Sequence, residues 1–161
     1  MRLHGFKHPQ RQQGLAIVEF TLVLPVLLLM LLAFGEFGRM LYQYNLLLQA
    51  SRDADRFVAS QAWDSTLGKV ALSDTLQTET KKVAVFGVPF DTGPDTKVLS
   101  NLTTDNVVVA PEGTDHVRVT ITYTFCPVIG GGKCPGSLPG FFGSQIALSI
   151  PLVASTVMRA L

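Results

Sequence analysis

Charge is what this chain lacks first. Over about 21 residues, from Leu15 to Gly35, the only ionisable side chain is Glu19, which excludes a solvated surface helix there. Histidine is scarce too: His4 and His8 precede that stretch and His116 stands alone far beyond it. No paired carboxylates, nucleophile elbow or cluster of metal-ligand residues accompanies them. The expectation is a chain with no catalytic residues, no cofactor and no metal, and not an enzyme. Cysteine occurs only at Cys126 and Cys134. A zinc site needs about four ligands, and the scattered histidines do not supply the rest. The Cys-x-x-Cys redox spacing is absent. A phosphate-binding P-loop also fails, with Pro127 at the first glycine position and Cys134 in place of Ser or Thr. Of the remaining readings, a structural disulfide closing a Gly/Pro-rich loop stands against two free thiols.

Acid is missing from residues 1–14, which carry Arg2, Lys7 and Arg11. Residues 15–161 then hold 10 Lys and Arg against 12 Asp and Glu. A basic leader ahead of an apolar run predicts a cytoplasmic N-terminus and an exported remainder. The mildly acidic remainder gives no electrostatic basis for nucleic-acid binding. As a helix, residues 15–35 would be about 30 Å long, enough to cross a hydrocarbon core and contact membrane lipid. A cleavable secretory signal would be shorter and end in a small-residue site, and no Ala-x-Ala follows this run.

Past the span the helical period continues. Phe37, Leu41, Tyr44, Leu48, Ser51 and Val58 recur at spacings of three, four or seven, with Glu36, Arg39, Gln43, Arg52, Asp53 and Arg56 between them. These predict one long helix from about residue 15 to 60, apolar over 15–35 and amphipathic over 36–60. Pro25 is tolerable in a membrane helix, and Gly35 and Gly38 mark a place for a bend. The charged group Arg52, Asp53, Asp55 and Arg56 reads as a solvated face or a docking surface for another subunit. Trp63, Phe141 and Phe142 read as core or loop anchors. Residues 61–72 read as irregular. Ser73 or Asp74 caps a second helix ending at Phe86, closed by Gly87. Residues 87–104 read as loop, and Asn101-Leu102-Thr103 is a sequon of little weight.

Alternation of Val117, Val119, Ile121, Tyr123 and Phe125 with Arg118 and three threonines predicts a half-buried strand. Asn106–Ala110 precedes it across a turn at 111–114. Ile146, Leu148, Ile150 and Leu152 predict a third strand. The expected fold is α+β: a long N-terminal transmembrane-to-amphipathic helix packed on a small antiparallel sheet, with residues 61–161 completing an exported domain.

Glu19 follows Gly14 by five positions, in Gly14-Leu-Ala-Ile-Val-Glu-Phe20. Such a carboxylate either reaches back to the headgroups or serves assembly. After a cut at Gly14 it would sit about 6 Å along the helix from the new amino group of Leu15. This heptapeptide, the Leu22-Val-Leu-Pro25 run, Glu36-Phe-Gly38-Arg39 and the segment Gln49–Arg56 together resemble the TadE-like pseudopilin family of tight-adherence (type IVb) pilus systems. The strand Val117–Phe125 and the segment Ile150–Met158 also resemble the family's carboxyl half. The resemblance implies a pilin-like single-pass protein of the bacterial inner membrane, its C-terminal domain periplasmic or extracellular. It implies processing by prepilin peptidase between Gly14 and Leu15, and methylation of the new terminus. It also implies assembly through Glu19 and Phe20 with other pilin and pseudopilin subunits and the inner-membrane pilus assembly machinery, as a minor subunit of the pilus or a secretion pseudopilus. Phe20 stands where major pilins of these systems usually have Tyr. The alternative is an unprocessed membrane-anchored protein whose exported domain binds a ligand or cell-wall component.

Overall fold

The computed structural model describes residues 13–128, 137–139, 144–147 and 149–161. The chain divides into two compact units, Met1–Phe37 and Gly38–Leu161.

The first helix, α1, runs Gln13–Ala59 without interruption through Pro25, Gly35 and Gly38. Within the first unit, every large apolar side chain from Leu15 to Phe34 is at least 37% exposed. A helix apolar on all sides is stable only when lipid or protein surrounds it. Pro25 has no N–H for the Thr21 carbonyl. The Thr21 hydroxyl donates to the Ile17 carbonyl at 2.7 Å, so this polar side chain is satisfied within its own helix.

In the second unit, residues 38–59 of α1 present a narrow buried stripe: Leu47, Ala50, Ser51, Ala54, Asp55 and Val58. These positions alternate by three and one, the signature of one helix face. Two of them are alanine, Ala50 and Ala54. The stripe lies beside the face expected from the larger residues: Leu41 stays 44% exposed, and Tyr44 and Leu48 are only half-buried. Asp55 departs further from expectation. Its neighbours Arg52, Asp53 and Arg56 are exposed as a solvated face should be, but Asp55 is fully buried.

Residues 61–72, expected to be irregular, contain a two-residue ladder, β1 (Trp63–Asp64) with β2 (Lys69–Val70). Asp64 nucleates its turn by accepting from Thr66 N and Leu67 N. Trp63 remains 38% exposed there and is no core anchor; Phe141 and Phe142 lie outside the described residues. The second helix, α2, is Asp74–Phe86, capped by the Ser73 side chain on Leu76 N and closed by Gly87 at φ 77. That left-handed closure is one a Cβ would strain. Two single 3-10 turns, Pro94–Thr96 and Thr104–Asn106, punctuate the following loop.

The main sheet is an antiparallel meander of β3 (Val107–Glu112), β4 (His116–Phe125) and β7 (Ile150–Arg159). A second ladder, β5 (Ser137–Pro139) with β6 (Gln145–Ala147), is inserted between β4 and β7 in sequence. Two boundaries differ from expectation. Pro111 and Glu112 pair with Val117 and His116 as the end of β3, so the turn narrows to Gly113–Asp115. Pro111 is tolerated because β3 is an edge strand. The third strand begins at Ile150 and runs to Arg159, so its pairing with β4 extends well past Leu152. Ile146 belongs to β6 and Leu148 lies outside the described residues.

One sheet face carries Val107, Val109, Val117, Val119, Ile121, Tyr123, Phe125, Leu152 and Ala154. They form a single core with the α1 stripe and with Leu76, Val83, Ala84 and Val85 of α2. Thr156 of β7 donates its hydroxyl to the Ser51 carbonyl of α1 at 3.0 Å. The last residues return to the helix end, Leu161 N to Ala59 O at 3.0 Å. This is the α+β arrangement expected, a long helix covering one face of a small antiparallel sheet.

Candidate functional site: the N-terminal helix

Gly14 and Leu15 lie in the first turn of α1. There the backbone N–H groups have no acceptor inside the helix and local opening costs least. Leu15 is 78% and Phe20 64% exposed. Glu19 is also exposed, and among the described residues its carboxylate takes part in no ion pair or hydrogen bond. Leu15 and Glu19 are four apart and share a helix face, separated by about 6 Å of rise. A lone carboxylate on an otherwise apolar helix costs about 3 kcal/mol to place at the centre of a bilayer and less toward its edge. Glu19 therefore favours any arrangement that brings a cation to its face.

In the second unit, two features escape sequence reading. Arg39 donates from Nη2 to the Cys126 carbonyl at 2.6 Å. Its guanidinium also lies 4.8 Å from the centroid of the Phe125 ring. This one side chain, which periodicity assigns merely to a polar position, pins the end of β4 to α1 by a hydrogen bond and a cation–π contact. Tyr123, buried on the same strand, has its phenol pushed up by burial, partly offset by Arg39. Cys126 is disulfide-bonded, while Cys134 lies outside the described residues.

The second feature is Asp55. Neither carboxylate oxygen has a hydrogen-bond partner, and burial raises its pKa from 3.8 to about 6. The nearby Thr156 hydroxyl limits that rise, although its proton is directed at the Ser51 carbonyl. Asp55 stands four residues after Ser51 and three before Val58. Ser51 and Val58 both belong to the helical period on the apolar face, and that spacing is the sequence signal for the burial of Asp55. At the turn between β3 and β4, His116 Nδ1 lies 2.8 Å from Asp115 Oδ1 and Arg159 Nε 3.4 Å from Asp115 Oδ2. The hydrogen bond from His116, with both positive neighbours, holds the Asp115 carboxyl below its ordinary value. These groups are partly exposed and close the end of the sheet. Among the described residues no group of His, Cys, Asp and Glu is placed to hold a metal ion.

These features define an α+β protein in which, among the described residues, one helix is long and apolar enough to cross a membrane. Residues 14–56 match the family model of TadE-like proteins. The match begins at Gly14, takes in Glu19 and the apolar run, and ends just past Asp55. The similarity covers this helix and not the sheet. No curated protein and no solved structure matches the chain.

Proposed function

We propose that this chain is a minor pseudopilin, a structural and non-catalytic subunit that helps assemble a tight-adherence (type IVb) pilus or a secretion pseudopilus. The observation that carries the reading is the TadE-like match over residues 14–56, laid on a helix whose apolar span, residues 15–35, has one carboxylate, exposed one turn from Leu15. The precursor enters the inner membrane with its basic leader cytoplasmic and its α+β domain on the far side. Prepilin peptidase removes residues 1–14, cutting at the first turn of α1. The amino group of Leu15 then becomes the cation that Glu19 of a neighbouring subunit pairs with. Phe20 and the apolar side chains around it pack against neighbouring pilin helices in place of lipid. Fibre extrusion is the work of the inner-membrane assembly machinery.

Glu19→Ala tests this role. The change makes the span more apolar, so insertion and cleavage after Gly14 persist. The Leu15 amine is left unpaired in the bundle, a loss of about 3 kcal/mol or more. Cross-linking of α1 to other pilins should therefore fall by roughly a hundredfold. Normal cross-linking and normal piliation in the variant strain would refute the assembly role. N-terminal sequencing of membrane-extracted protein checks the processing step independently: Leu15 as first residue supports it, and Met1 identifies an unprocessed anchor.

A further inference from the structure

Thr78, Lys81, Lys82, Val85 and Phe86 fall at positions i, i+3, i+4, i+7 and i+8 of α2, one continuous helix face. That face forms one wall of an open groove of about 640 Å³. The opposite wall is the loop from Asp91 through Lys97 to Thr104. Val85 is buried, while Lys81, Lys82, Phe86 and Lys97 are half-buried, so three lysines line a cleft that also has an apolar surface.

The hydrogen-bonding inventory of this groove is one-sided. Among the described residues none of the three lysines is paired with a carboxylate. Asp91, the one acid in the lining, is engaged in its own turn, accepting from Gly93 N at 2.8 Å. Thr78 donates to the Asp74 carbonyl and Thr103 to the Asn106 side chain. The Thr104 hydroxyl has no partner among the described residues. Three lysines, each with three ammonium donors and no acceptor, thus line one cleft with a free hydroxyl. Three cations on the walls of one cleft also repel each other, a cost that an anion between them removes. The second unit as a whole is charge-balanced, with ten Lys and Arg and ten Asp and Glu, so the cluster is a local concentration of positive charge.

We propose that this groove binds a phosphate-bearing ligand. A phosphoryl group offers several acceptor oxygens and up to two negative charges, which matches three lysines and a hydroxyl better than a single carboxylate does. The half-buried Phe86 and the buried Val85 leave an apolar floor for the group that carries the phosphate. This site belongs to the second unit alone and stands independently of the pseudopilin role.

The test uses the full chain in neutral detergent, titrated calorimetrically with inorganic phosphate, glycerol 1-phosphate and glucose 1-phosphate. The expected result is saturable binding that weakens as salt rises. Lys97→Gln and Lys81→Gln should each weaken it roughly tenfold, as expected for loss of a charge-assisted hydrogen bond. Lys69→Gln, a lysine outside the groove, should leave it unchanged. Preference for glycerol 1-phosphate identifies a lipid headgroup as the source, preference for glucose 1-phosphate a phosphorylated glycan, and equal affinity a free phosphate. No saturable binding of any of the three, or binding that survives Lys81→Gln/Lys97→Gln with unchanged circular dichroism, overturns the proposal.

Discussion

Replacing Asp55 with asparagine should make the folded domain more stable at neutral pH and remove a pH dependence that the native protein carries. Asp55 belongs to the packed face of α1 against the sheet, beyond the apolar span, and is fully buried. Its pKa rises from 3.8 to about 6 on folding because burial penalises the charged form. A proton is therefore held by the folded state, and not by the unfolded one, between those two values. Stability must fall as pH rises through that window, and below it the penalty vanishes. At about 1.4 kcal/mol per pH unit, the ionised carboxylate withdraws roughly 3 kcal/mol from folding above about pH 6.

Asparagine keeps the shape and cannot ionise, but its amide also lacks partners there, a cost of about 1–2 kcal/mol. The variant should thus gain about 1–2 kcal/mol at neutral pH. The gain should shrink by roughly 2 kcal/mol between about pH 7 and pH 4.5, where Asp55 of the native protein is protonated in the fold. Urea titration of both full-length proteins in detergent, followed by fluorescence of the single tryptophan, Trp63, reads this difference directly. Other titrating groups are common to both proteins and cancel in it. A stability difference that stays constant across this pH range would refute the reasoning.

Gly14→Val should block removal of residues 1–14 while leaving membrane insertion intact, because insertion depends on the apolar run and basic leader; a mature-sized band on immunoblotting, in cells containing the peptidase, would count against cleavage at this bond. Arg39→Ala should lower stability by about 1–2 kcal/mol through loss of the Cys126 carbonyl bond and the Phe125 ring contact, and Arg39→Lys should recover only part of it, both measured by denaturant midpoint. Cys126 and Cys134 should be recovered bonded to each other, a bridge worth roughly 2–3 kcal/mol for so short a loop; mass spectrometry finding two free thiols in exported protein would rule it out.

Local features of the sequence determined a good deal. A charge-free run of membrane length, interrupted only by Glu19, required a helix. Ser73 and Gly87 bounded α2 because a cap side chain and a left-handed closure are set by the residues themselves. The strict alternation from Val117 to Phe125 determined β4 and its inward face. Tertiary structure decided what depends on partners distant in sequence. The β7 strand starts and ends where pairing with β4 allows, so the hydrophobic alternation starting at Ile146 misplaced it. The buried stripe of α1, Leu47 to Val58, was set by which turn of the helix faces the sheet and α2. Asp55 looked like one charge among four on a solvated face. Only the packing of β7 across that turn of α1 removed it from water, because desolvation is a property of the surroundings and not of the residue. The lysines of α2 likewise became a cluster only when the loop carrying Lys97 folded back beside them.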